Sequence, residues 1–162
     1  MPIGPAIDGV EQQVAASAPS GWRPDKAMFA EMKAALDRFL ALRDKGDKAA
    51  AYAMLTPAMK ARMAAEYWMA GVDLRGPLKQ RAFREYSWYV DPPEASAKGV
   101  YLAADFIGSY ESAPVYCGYV MVHRARDGKI GISRMEENVI LKDEAKRAGD
   151  DGLKRMIAQM PC

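Results

Sequence analysis

The chain has 162 residues, 50% of them hydrophobic and 27% charged, the make-up of one folded domain. Its 23 basic and 21 acidic residues leave a net charge of +2, too small for the basic excess that electrostatic nucleic-acid binding draws on. Charge-free stretches such as Gln12–Trp22 reach 11 residues, against about 20 needed to cross a bilayer, so membrane insertion is excluded as well.

Residues 1–20 carry three prolines, two glycines and only Asp8 and Glu11 as charges, and they read as a flexible arm ahead of a single domain over 21–162. The arm lacks the basic start and compact apolar run of a secretory signal. Either the chain begins in the cytosol, or a signal precedes Met1.

From Lys26 to Lys45 the apolar residues Met28, Phe29, Met32, Leu36, Phe39 and Leu40 recur at three- and four-residue steps, which predicts a helix with Asp25 as N-cap and Gly46 as its stop. Asp47 caps a second helix through Leu55. Thr56-Pro57 starts a third, expected to run to Met69, because proline at the first helical position loses no hydrogen bond. Gly71–Pro77 reads as a loop. The period then changes to two: strands are expected over Phe83–Val90, Val100–Ile107, Val115–Arg124 and Lys129–Val139, with Gly108–Pro114 and Asp127-Gly128 as turns. Asp143–Met160 predicts a closing helix weakened by Gly149 and Gly152. Helices segregated from strands define an α+β class: helices packed on a curved four-stranded antiparallel sheet, with a C-terminal helix.

Phe39-Leu40, Gly46-Asp47, Tyr52, Met54-Leu55, Thr56-Pro57 and the Asp127-Gly128-Lys129 hairpin lie in an order that resembles the nuclear transport factor 2-like (cystatin-like) superfamily, especially its uncharacterised proteobacterial domains. The resemblance implies a helix-lined concave sheet, frequent homodimers and a pocket. It covers isomerases, dehydratases, assembly domains and proteins of unknown activity, so it selects no function.

Counting back from a two-residue Asp127-Gly128 turn pairs Met121 with Arg134, Tyr119 with Glu136, Cys117 with Asn138 and His123 with Ile132. This places Tyr119, Arg134 and Glu136 on one face, with Asp105 on the neighbouring strand, as a candidate ligand-binding patch. The same residues also make an ordinary surface ion pair covered by a tyrosine. Glu136 and Glu137 face opposite ways and cannot work as a carboxylate pair. Trp88 belongs to an aromatic group, with Trp68, Tyr86 and Tyr89, whose spacing suits either the wall of an apolar pocket or the core. His123, beside Arg124 and Arg126, reads as a rim residue and a poor base.

No phosphate loop, metal-binding histidine pair or nucleophile elbow is present in the sequence, so no catalytic residue, metal or cofactor is assigned. Two functions stay open. One is a non-catalytic binding or assembly domain, taking a small apolar ligand or a protein partner and dimerising through its sheet. The other is a small isomerase- or dehydratase-like enzyme using a carboxylate and a tyrosine in the concave pocket, drawn from Tyr119, Asp105 and Glu136. Cys162 follows Pro161 at the end of the chain, with no packing reason to be cysteine, and Cys117 sits in a strand. Their pairing would staple the closing helix and imply a periplasmic or secreted protein; two unrelated thiols would suit a cytoplasmic one.

Overall fold

A computed structural model describes residues 3–7 and 9–162, with side chains from Gly9 onward. Helix α1 spans Lys26–Asp44, α2 Lys48–Ala53, α3 Pro57–Arg62 and α4 Ala65–Ala70. Asp25, Asp47 and Thr56 each accept a hydrogen bond from the backbone N–H three residues ahead, at 2.7, 3.1 and 3.2 Å, satisfying donors that the first helical turn leaves open. The predicted third helix is two short ones. Between them the Tyr52 hydroxyl donates to the Met63 carbonyl at 2.8 Å and the Trp68 indole to the Lys48 carbonyl at 2.9 Å, so side chains of neighbouring elements hold a corner that no local sequence signal announces.

The strands are β1 (Ile3–Ile7), β2 (Val10–Val14), β3 (Leu78–Val90), β4 (Val100–Tyr110), β5 (Ala113–Arg124) and β6 (Ile130–Ile140), and they lie side by side in chain order. β3 to β6 form the expected antiparallel meander. The sheet is larger and mixed, however: β2 runs parallel to β3, and β1 antiparallel to β2. Residues 10–14, expected in the arm, are therefore sheet. Their backbone completes the edge of β3, Val14 is buried, and Gln12 is only 2% exposed because its side-chain oxygen accepts the Trp88 indole N–H at 2.9 Å. The remainder of the arm reading at Met1, Pro2 and Asp8 lies outside the described residues.

Alternation divides the sheet into two faces. Tyr86, Trp88, Leu102, Phe106, Tyr116, Val120 and Val122 point beneath α1, where Phe29, Met32, Leu36 and Phe39 complete the core. Phe29 stacks obliquely on Tyr86 and Trp88, with ring centroids 5.4 and 6.2 Å apart. On the other face the C-terminus returns to the sheet through a disulfide between Cys117 and Cys162, whose Cα atoms are 6.0 Å apart. Helix α5 (Lys142–Gln159) leads there, interrupted at Gly149 (φ 69°), and contributes no fully buried residue. No helix among the described residues is long and apolar enough to cross a membrane.

Candidate functional site

The loop between α4 and β3 is exposed except at Arg75, which is 7% exposed and pins it to the sheet. Its guanidinium donates to both oxygens of Asp73 at 2.9 Å, to the Tyr110 hydroxyl at 2.9 Å and to Glu137 at 3.2 Å. Glu137 projects from β6 under α1, where Arg43 and the Tyr116 hydroxyl also donate to it. Tyr110 passes its own hydrogen to Asp44 at 2.6 Å, and Arg81 donates to Asp44 at 2.8 Å. The result is one network of three guanidiniums (Arg43, Arg75, Arg81) and three carboxylates (Asp44, Asp73, Glu137), closed by two tyrosines.

The electrostatics follow from this arrangement. The Arg75 hydrogen bond holds the Asp73 carboxyl below its usual range, against the opposing effect of burial. Burial works against the charge of Arg75, but Asp73 and Glu137 outweigh it and hold the guanidinium protonated. Burial, and then the Glu137 charge, push the Tyr116 phenol far up, so it stays a hydrogen-bond donor.

Above the network lies a cavity of about 400 Å³, within the range of small-molecule sites. Arg43, Arg75, Asp73, Glu137 and Tyr116 reach its floor, while Trp68, Met63, Met135 and Leu141 line its wall. Tyr67, Val72, Leu74 and Val139 also line it and are 73%, 81%, 60% and 39% exposed. They are half of the eight large hydrophobics that stand in solvent among the described residues, gathered at one mouth. Such concentration marks a binding surface where scattered apolar residues would not.

The patch read from the sequence lies elsewhere. Asp105, Tyr119 and Glu136 are directly opposite one another across β4, β5 and β6, and Glu85 and Glu11 continue the row. The Arg134 guanidinium sits over the Tyr119 ring, 5.9 Å from its centroid, and no ion pair joins it to Glu136 among the described residues. These residues share one face of the sheet, the face away from α1. Asp105, Tyr119 and Glu136 border a smaller cavity of about 250 Å³ with Pro161 and Cys162, not the space beneath the helix, while Arg134 lines a separate cavity with Met121 and His123. Burial, then the Glu85 charge, raise the Asp105 carboxyl above its ordinary range, with Arg84 opposing. Trp88 is 0% exposed, in the core beneath α1, and lines neither the cavity above the network nor the smaller one beside Cys162. His123 lines the cavity beside Arg134 but is not on the open surface: it is 7% exposed, stacked on Tyr101 at 4.3 Å, with Nε2 2.9 Å from the Lys98 carbonyl oxygen.

Sequence reasoning passed over Glu137 in favour of Glu136, and passed over Arg75 and Tyr116 altogether. The strand count that grouped Tyr119 with Glu136 also puts Gly118 opposite Glu137 and Tyr116 one step along on the same face, so that signal was available. Arg75 gave none, since a lone arginine in a loop looks solvated until Tyr110 and Glu137 are brought to it.

Fold and site together define an α+β domain with a helix-covered mixed sheet and an apolar-mouthed cavity over a charge-neutral floor. The sequence profile of the family described as Protein of unknown function (DUF4019) matches residues 35–133, more than half of the chain, and the chain belongs to that family. No curated protein and no solved structure matches it.

Proposed function

We propose that this is a non-catalytic binding domain whose cavity between α4, the 71–77 loop and β6 takes a small apolar ligand. The observation that carries this is the saturation of the floor. Glu137, the carboxylate beneath the cavity, receives Arg43, Arg75 and the Tyr116 hydroxyl, so neither oxygen is left to move a proton to or from a bound molecule. What the cavity still offers is apolar wall. Titration with 1-anilinonaphthalene-8-sulfonate tests it: saturable binding with one site per chain, abolished by Val72→Asp together with Leu74→Asp, is expected. Unchanged binding in that double variant would move the site elsewhere.

The layout is also in keeping with the nuclear transport factor 2-like resemblance, and the disulfide with export to the periplasm, since oxidising compartments are where such bonds persist. A homodimer through the face away from α1, where Ile107 is 44% exposed, is part of this reading; light scattering is expected to give twice 17.8 kDa.

A second reading, an isomerase-like proton-transfer enzyme, draws on Asp105, whose carboxyl is raised and faces Tyr119. It requires Asp105→Asn to abolish isomerisation of a β,γ-unsaturated ketone.

A further inference from the structure

The cavity beneath α4 has three cations and two anions among its lining residues: Arg43, Lys48 and Arg75 against Asp73 and Glu137. The five are not equivalent. Arg43 and Arg75 are spent on the carboxylates of the floor network. Lys48 stands outside it. Its ammonium donates to the carbonyls of Gly71 and Met69, at the end of α4, and no carboxylate pairs with it among the described residues. Carbonyl dipoles solvate an ammonium but do not cancel its charge, so one whole positive charge remains at the cavity beside the wall of Trp68, Tyr67, Val72 and Leu74.

A ligand that fills this space removes water from Lys48. A neutral ligand leaves that charge desolvated without a counter-ion, and a cationic one adds repulsion from Lys48 and Arg43. An anionic head beside Lys48, with an apolar body along the wall, satisfies both halves of the site. Arg43, though paired with Glu137, lies beside the same wall: its guanidinium is over the Trp68 ring, 5.8 Å from the centroid, between floor and wall. The surrounding segment Gly21–Glu85, with 13 basic and 8 acidic residues, adds a field of the same sign.

We propose that the ligand is a monomeric anionic amphiphile, a single carboxylate or phosphate on an apolar body, with its head held by Lys48. This rests on the binding-domain reading above and adds the charge of the ligand to it. The test is calorimetric titration of the full oxidised chain, below micelle formation, with dodecanoate, dodecyl phosphate, dodecanol and dodecyltrimethylammonium. Dodecanoate and dodecyl phosphate are expected to bind about tenfold or more tighter than dodecanol, with affinity falling as salt is raised. Lys48→Gln should remove that advantage and Lys48→Arg retain it, both at unchanged dodecanol affinity; this separates loss of charge from collapse of the loop. Equal binding of dodecanol and dodecanoate would overturn the anionic head while leaving the apolar site standing. No binding of any of the four would remove the apolar site as well. Binding only to phosphatidylglycerol vesicles, with no uptake of free dodecanoate, would make this a membrane-surface contact and overturn the monomeric ligand.

Discussion

Tyr116 reaches diagonally across β5 and β6 to donate its hydroxyl hydrogen to Glu137, the residue opposite Gly118. The diagonal is open because Gly118 has no side chain: a Cβ there would run into the Glu136 carbonyl, with the Glu137 Cα 3.0 Å away. Arg43 and Arg75 converge on the same carboxylate, so Glu137 ties α1, the 71–77 loop and two strands at one point.

Removing that charge tests its structural weight. Glu137→Gln keeps shape and some hydrogen bonding but leaves Arg43 without a counter-charge and Arg75 with Asp73 alone. The expected cost is about 2 kcal/mol, below the ~3–5 kcal/mol of fully buried pairs because Glu137 keeps some exposure. Tyr116→Phe should cost about 1 kcal/mol, the net worth of one hydrogen bond. Urea denaturation of the two variants measures both.

The N-terminal strand gives a second prediction. Gln12→Leu fills the volume but strands the Trp88 indole N–H in the core, at about 1–3 kcal/mol. Deleting residues 1–19 should lower the melting temperature further, because Val14 leaves the core with it. An unaltered transition in the deletion would show that β2 adds nothing to the fold.

Reduction of the disulfide is the third. The 45-residue separation of Cys117 and Cys162 corresponds to about 4 kcal/mol in the chain-entropy account. Since α5 buries no residue fully, reduction or Cys162→Ser should free its second half, and limited proteolysis should then cut near Gly149. Oxidised protein should resist the same cut.

Asp105 supplies the pH dependence. Its folded-state pKa lies above the unfolded value, so between the two the native state binds the extra proton and stability falls as pH rises through that window. At neutral pH the ionised carboxylate is a net cost. Asp105→Asn should therefore raise the melting temperature at neutral pH, and the gain should shrink on acidification and vanish near about pH 3, below the unfolded pKa. A gain independent of pH would mean that burial of the charge is not its source.

Much of this protein is legible from spacing alone. Asp25, Asp47 and Thr56 cap helices because a side-chain oxygen three residues ahead of an open N–H needs nothing from the rest of the chain. The three- and four-residue apolar steps of α1 and the alternation of β3 to β6 belong to the same class. The sequence leaves Cys117 and Cys162 open between a bridge and two separate thiols, and the fold brings them together.

The Tyr119–Glu136 pairing is a subtler case. The hairpin turn holds three residues, Arg126 to Gly128, closed by Ala125 and Lys129, which shifts the register by one from the two-residue count. A bulge at Ser133, between the Met121–Arg134 and Val122–Ile132 pairs, shifts it back. The predicted partners meet because two opposite one-residue offsets cancel, whereas His123, lying between them, pairs with Gly131 and not Ile132.

What tertiary structure alone decided has one physical origin: the value of a polar group depends on partners that sequence distance conceals. Gln12 reads as a solvated arm residue until Trp88, 76 positions away, needs an acceptor in the core. Arg75 reads as a loop charge until Tyr110 and Glu137 are brought beneath it. Glu136 and Glu137 are adjacent and chemically identical; the face each occupies, one under α1 among guanidiniums and one on the opposite side in a row of carboxylates, settles which of them belongs to the cavity.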